Sequence, residues 1–387
     1  MRIAINRNHL WHGVDTILDV IPSKPAIPAL SNMLLSASEQ GVSLAATDMD
    51  LSVRTRLEAS VEQPGTVTIP ARPLADIVRD LPESELTLEQ KDGPVLLSGS
   101  LGMQTGIDAA YSLPGGSSED YPSISSDLPG MSLDLSHLGG IRNHLAEMVI
   151  KTSFAVARDD TRPVLNGALW QVEENGICIV ATDTHRFSYY HLAIDLSEHF
   201  HGETRNAIVP PPALSQIVKL LQRATNGTLH IVIGDSQLLI DTGDTQLITR
   251  LIEGPYVDYQ QVIPRNTQLY LSIEADQLLA AVRRVSVLAS SYTHQVQLHM
   301  RDNSVELSAS SPEIGGNARE MIPAAYTENP LEVGYNARYL MEILRHMQGQ
   351  NVVFSLESAH TAALLRPSQQ QEGHDYFCLL MPLRSMG

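Results

Sequence analysis

The sequence repeats one plan three times, and that limits the folds open to it more than any other feature. Residues 67–81 read VTIPARPLADIVRDL, residues 207–221 read AIVPPPALSQIVKLL, and residues 331–347 read LEVGYNARYLMEILRHM. Each is a short β-like run, a turn and an amphipathic helix. The apolar stripes are Leu74, Ile77, Val78, Leu81, then Leu214, Ile217, Val218, Leu221, then Leu340, Ile343, Leu344, Met347. A spacing of i, i+3, i+4, i+7 puts each set on one helix face. A second element recurs as SLAATDMD (43–50), CIVATDTH (178–185) and, more weakly, VELSASSP (305–312), each after an alternating run that predicts a hairpin strand (32–41, 166–176, 294–303). Upstream of each hairpin the spacing predicts another helix, over 8–21, 137–150 and 275–287. The landmarks recur 126 to 140 residues apart, and a third of 387 is 129. The chain therefore divides into three similar domains, 1–128, 129–265 and 266–387, with linkers near SSDLPG and IPRNTQ. No regular βαβ alternation occurs, so the class is α+β with mainly antiparallel sheet. Three long copies indicate a triplicated domain and not a solenoid.

The net charge of −18 argues against open, non-specific binding of nucleic acid, which brings lysine and arginine to phosphate over an exposed surface. Aromatics make up only 5%, too few for base-stacking platforms. The charge is nonetheless segregated. Six helical windows (7–24, 71–81, 136–151, 212–224, 275–290, 336–348) hold twelve basic and seven acidic residues, a sum of +5, which leaves −23 for the remainder. The position opposite the stripe of each repeated helix is Arg79, Lys219 or Arg345, with Arg72 and Arg338 on the same outer face. In the third unit's first helix it is Arg283, with Arg284 beside it. The first helix breaks the pattern, because His12, Asp15 and Asp19 face outward and would repel phosphate.

Catalytic signatures are missing. No phosphate-cradling, zinc-protease or nucleophile-elbow motif occurs. Asp183 and His185 in Thr182-Asp183-Thr184-His185-Arg186 could pair as acid and base or ligate a metal, but no third ligand has the right spacing. The competing reading is a turn at a strand end, with the aspartate bonded to local backbone. Cys178 and Cys378 lie in apolar runs with no metal-binding spacing, and buried reduced thiols are expected. The opening MRIAINRNHL has no apolar core of a signal peptide, and no apolar run is long enough to span a membrane, so the expected compartment is the cytoplasm. The terminal YFCLLMPLRSMG reads as a last core strand or as part of a groove for peptides.

Over nearly its whole length the sequence resembles the bacterial DNA polymerase III beta-subunit family, the sliding clamps. The motifs are IPALSNMLL (27–35), LAATDMDLSV (44–53), TIPARPLADIVRDLP (68–82), PVLNGALW (163–170), VATDTHRF (180–187), LIEGPYVDYQQVIP (251–264), GYNARYLMEIL (334–344) and LLMPLR (379–384). The resemblance implies three clamp domains per chain and two chains joined head to tail in a ring, with helices lining the channel and sheets outside. It implies a non-catalytic processivity factor without cofactors. Its partners would be double-stranded DNA, the polymerase III catalytic subunit, the clamp loader, and other polymerases and repair proteins carrying short linear motifs.

Carried over by motif and helical position, the DNA contacts are Lys24, Arg72, Arg79, Lys219, Arg223, Arg283, Arg284, Arg338 and Arg345. The peptide pocket is Leu165, Thr182, His185, Arg186, Phe187, Val257, Val262, Asn336, Tyr339, His360, Leu379, Met381, Pro382 and Leu383, with His185 and Arg186 offering donors to the peptide. The dimer contact includes Val287 and Leu288. Four departures stand out. Thr184 replaces the family's usual glycine and Val257 takes a usual proline's place. VPPP (209–212) lacks the family's basic pair, and residues 100–122 form a longer stretch than usual. VPPP and the acidic first helix leave an alternative, a clamp-like paralogue that recruits proteins but retains DNA poorly.

Overall fold

A computed structural model describes residues 1–91, 93–100, 108–159, 161–198, 200, 204–313 and 315–383. The expectation of a longer stretch at 100–122 therefore falls partly outside the described residues, as does Arg384 of the last motif.

Six α-helices form where the apolar periodicity predicts them: α1 (Arg7–Ile17), α2 (Ala71–Asp80), α3 (Ile141–Ser153), α4 (Pro211–Arg223), α5 (Ala275–Val285) and α6 (Ala337–Arg345). Their starts follow from local chemistry. The Asn6 side chain accepts from the Asn8 amide, Glu274 from those of Asp276 and Gln277, and Asn336 from those of Arg338 and Tyr339. Such caps satisfy amides that have no partner inside the helix and contribute about 1 kcal/mol each. Pro211 opens α4, where a missing N–H costs nothing. The third helix starts at Ile141 and not at 137, because Gly139 and Gly140 precede it and Gly140 has φ +76°. The stripes point inward: Leu74, Val78, Leu214, Ile217, Leu221, Leu340, Ile343, Leu344 and Met347 are all buried.

Among the described residues the strands form four sheets, and every pairing is antiparallel. The chain separates into two compact units, which do not coincide with the three repeats. The first comprises 1–146 and 212–251, and the second 147–211 and 252–387.

In the first unit a five-stranded sheet runs Ala59–Gln63, Arg2–Asn6, Glu85–Gln90, Val95–Ser100, Asp108–Leu113. An eight-stranded sheet runs Met131–Asp134, His230–Ile233, Gln237–Asp241, Thr245–Arg250, Leu51–Leu57, Gly41–Thr47, Asn32–Ser38, Gly65–Pro70. Its middle is a join between repeats, since Thr245–Arg250 pairs with Leu51–Leu57 and sets Thr245 opposite Thr55.

In the second unit an eight-stranded sheet runs Arg205–Val209, Ala168–Glu173, Gly176–Thr182, Arg186–Ala193, His374–Leu380, Ala363–Pro367, Asn351–Leu356, Leu269–Glu274. Here Arg186–Ala193 pairs with His374–Leu380, and Tyr190 sits opposite Tyr376. A four-stranded sheet runs Gly316–Pro323, Ser304–Ser311, Gln295–Arg301, Leu331–Asn336.

Both cysteines are buried and free. Burial pushes the Cys178 thiol up to about 12 and that of Cys378 to about 11, so neither is a nucleophile near neutrality. Among the described residues no helix is long and apolar enough to cross a membrane, and no cluster of three or more metal-binding side chains occurs.

Candidate functional site

The site is built on the turn after strand Gly176–Thr182. Asp183 Oδ1 accepts from the amides of His185 and Arg186, each at 3.0 Å. The Thr182 hydroxyl donates to the Arg186 carbonyl at 2.7 Å and accepts from the Thr184 amide at 3.1 Å. The acid–base reading of Asp183 with His185 thus gives way to the turn reading, because the aspartate is occupied by backbone. Thr184 sits at φ +75°, the left-handed conformation for which the family's glycine is suited. The threonine keeps the turn that glycine would make.

This turn delivers Arg186 into the protein. Its side chain is only 8% exposed, with Nε on Asp183 at 3.0 Å and Nη1 on Glu342 of α6. Its guanidinium also lies 4.6 Å from the centre of the Tyr339 ring, and Tyr339 stacks on exposed His185 with centroids 6.0 Å apart. Around these residues lies a cavity of about 570 Å³ lined by Val156, Ala157, Arg158, Asp159, Arg162, Leu165, Asp183, Thr184, His185, Arg186, Arg338, Tyr339 and Glu342.

Of the pocket residues expected from sequence, the structure brings Leu165, His185, Arg186 and Tyr339 to this cavity. Arg186 lines the cavity with Nε and Nη1 engaged by Asp183 and Glu342, which leaves Nη2 of its guanidinium as the group without a described partner. Phe187 and Leu379 are corrected. They are cross-strand partners, each 3% exposed, in a core cluster with Tyr259 and Phe377, so they support the surface from beneath. Thr182 is buried, its hydroxyl spent on the turn.

Val257, Val262 and Met381 stand on the surface of the same unit, 42%, 56% and 45% exposed. Exposed apolar side chains of this size are suited to contact with a partner. The last strand is core through Leu380 and emerges at Met381, whose amide donates to the His185 carbonyl at 2.9 Å. The C-terminal run is thus a core strand through Leu380, with Met381 at the surface. Pro382 follows, and the Leu383 amide donates to the Gly334 carbonyl at 2.8 Å. Asn336 caps α6, and exposed His360 lies in the turn after Asn351–Leu356.

Sequence reasoning missed Glu342 and the charged run Arg158, Asp159, Arg162. The run RDDTR was visible as a charge cluster, whereas nothing local marks Glu342 as the partner of a residue 156 positions away.

The basic helix residues fall into two groups. Lys24, Arg283, Arg338 and Arg345 are exposed and form no ion pair among the described residues. Arg72 is also exposed, with Nη2 on the Ile21 carbonyl at 3.2 Å. The others are engaged. Arg79 pairs with Asp76 at 2.9 Å and Asp80 at 3.5 Å, and Arg284 with Glu320. Lys219 meets Asp19 at 3.1 Å, and Arg223 meets Asp15. The expectation that Asp15 and Asp19 stand as free repelling charges is corrected, since each is matched by a cation of α4.

Three family models match in chain order. These are the N-terminal, central and C-terminal domains of the DNA polymerase III beta subunit, over residues 1–125, 141–258 and 260–384. Curated relatives include a beta sliding clamp from Synechococcus elongatus, 30% identical over 95% of this chain and 96% of its own length. Another is a beta sliding clamp from Bacillus subtilis, 26% identical over the full length of both. A crystal structure of a sliding clamp, DNA polymerase III subunit beta, from Pseudomonas aeruginosa bound to griselimycin superposes with a TM-score of 0.89. It is 26% identical and covers all of both chains.

Proposed function

The chain belongs to the DNA polymerase III beta-subunit family, the sliding clamps, and from that premise we propose that it encircles duplex DNA as a head-to-tail dimer and tethers a polymerase through the His185–Arg186 surface. The observation that carries this reading is the pattern of sheet joins. Each eight-stranded sheet joins the fourth strand of one repeat to the last strand of the next: Leu51–Leu57 to Thr245–Arg250, and Arg186–Ala193 to His374–Leu380.

The corresponding strands left over are Gly316–Pro323 and Asp108–Leu113, each at a sheet edge with one partner among the described residues. An unpaired edge is a template for another strand. A second copy supplies both missing partners and closes the cycle with the same join used twice within each chain, as symmetric assemblies require. Beside that edge Val287 and Met321 are 71% and 60% exposed, and Leu288 packs near Gly316. In such a dimer Val287 and Leu288 would contribute to the contact.

A closed dimer holds DNA by topology and needs only weak, sequence-independent attraction to phosphate. Arg283, Arg338 and Arg345 suit that role best, because no carboxylate among the described residues competes for them. Lys24 and Arg72 would add to it. Lys219, Arg223, Arg79 and Arg284 would contribute less, each already paired. The recruitment-only alternative rested partly on the acidic first helix, and the pairing of Asp15 and Asp19 removes that support. The reaction such a clamp serves is carried out by its partner, so no catalytic role is assigned to these residues.

The test is retention on primed circular DNA. Replacing Arg283, Arg338 and Arg345 together with glutamine is expected to shorten the lifetime on DNA about tenfold or more at low salt. The triple change Arg79→Gln, Lys219→Gln, Arg223→Gln should have a smaller effect. Equal effects would remove the distinction, and unchanged retention in both would remove the DNA assignment.

A further inference from the structure

The first unit holds a cavity beside the strands that join its two repeats. It measures about 440 Å³, within the range of small-molecule sites. Its apolar lining includes Val53, Leu220 and Leu247, all buried, together with Thr55 and Thr245, whose hydroxyls bond each other at 2.8 Å.

The repeat explains the space. Thr55 lies seven residues after Asp48, as Tyr190 does after Asp183, and each stands opposite the matching residue of the joined strand, Thr245 or Tyr376. In the second unit the rings of Tyr190 and Tyr376 are 5.3 Å apart, with the Lys151 ammonium 5.7 and 5.0 Å from their centres. In the first unit two threonines replace the rings, and Thr16 stands at the helix position of Lys151. Two aromatic rings and a cation are missing from the same architecture, and a cavity remains.

Its polar groups point to an occupant. Gln216 of α4 is 7% exposed and lines the cavity, and its side chain makes no hydrogen bond to another of the described residues. An amide on the wall of a cavity is available to pair with whatever occupies it. Its counterpart in the second unit is Glu342, which holds Arg186, whereas the counterpart of Arg186 is Leu51, which offers no donor. Arg223 also lines the cavity, with Nη2 on Asp15 and a buried Nη1 that has no acceptor. Arg56 is exposed and adds a further positive charge. The two lining carboxylates are occupied, Glu58 by His9 at 3.5 Å and Asp244 by Asn226 at 2.8 Å.

We propose that this cavity binds a small aromatic acid, whose ring takes the space that tyrosine rings fill in the second unit. The carboxylate meets Arg223 and Arg56, and a ring hydroxyl pairs with Gln216. Cationic side chains near the ring add the same attraction that Lys151 supplies to Tyr190 and Tyr376.

The probe is 4-hydroxybenzoate, added to the full-length protein and followed by saturation-transfer NMR and by the thermal midpoint. Saturable binding near ~1 mM or tighter is expected. Gln216→Leu should weaken it about tenfold, and Thr245→Tyr, by restoring a ring, should abolish it. No saturable transfer to the wild-type protein would overturn the proposal. So would undiminished binding by Gln216→Leu, a variant that keeps the sheet join intact even where Thr245→Tyr fails to fold. Equal binding of 4-hydroxybenzamide would overturn the assignment of an acid.

Discussion

In the first unit Asp48 closes the turn before strand Leu51–Leu57, and in the second Asp183 closes the turn before Arg186–Ala193. The backbones match. Asp48 Oδ1 accepts from the amides of Asp50 and Leu51 at 2.9 and 2.7 Å, as Asp183 does from His185 and Arg186. Met49 and Thr184 both take positive φ, +84° and +75°. What the turns carry differs. The first presents exposed Met49 and turns Leu51 into an apolar core, while the second turns Arg186 toward Asp183 and Glu342 and sets His185 against Tyr339. One backbone device thus makes a plain strand start in one place and a binding surface in another. The repeat supplies geometry, and a few side chains supply function.

The largest expected effect comes from Arg186→Ala. It leaves two carboxylates without their cation, one of them largely buried, and should cost about 3 kcal/mol in chemical denaturation. It should also weaken binding of a polymerase-tail peptide at least about tenfold, read by fluorescence anisotropy. Leu51→Ala at the matching position should cost a similar about 3 kcal/mol through its cavity and leave peptide affinity unchanged. If both changes altered peptide binding equally, the difference between the two turns would not be functional.

Next in size is a pH effect confined to the second unit. His346 of the α6 C-terminus stacks on Phe154 with centroids 4.7 Å apart. Burial, then the charges of Lys151 and Arg345, bring its pKa down from 6.5 to about 4. Because the folded value lies below the unfolded one, the unfolded chain takes up the proton first. The contribution is complete above pH 6.5, declines as pH falls, and is gone below pH 4. Allowing for partial exposure, it amounts to on the order of 1 kcal/mol. The matching residue in the first unit is Leu220, so His346→Leu should flatten the dependence of urea midpoint on pH between 7 and 4. A slope unchanged by the substitution would assign that dependence to other groups.

The smallest effect probes the shared backbone. Thr184→Gly and Met49→Gly should each raise stability by about 0.5 kcal/mol, since relief of the left-handed conformation slightly exceeds the added freedom of the unfolded chain. Equal gains in thermal midpoint would support one turn geometry in both units. A loss at Thr184 alone would mean that its side chain holds the surface around it.

Much of this was legible in the sequence because it is periodic and local. The stripes from Leu74, Leu214 and Leu340 predict helices that form where expected, and the alternation before each Thr-Asp predicts the hairpins. The internal repeat gives the number of copies, and the lack of βαβ alternation gives the antiparallel class. Tertiary structure decided the rest. Lys219 and Arg223 look free on a helix face, yet Asp15 and Asp19 meet them from 200 to 208 positions away. Nothing local marks Glu342 as a partner of Arg186, 156 positions away. The middle repeat reads as one domain, yet its strands are shared between two compact units. Side-chain periodicity depends on the pitch of one element, so a sequence displays it directly. Which charge meets which, and which space stays empty, depends on distant segments packing together, and no local pattern records that.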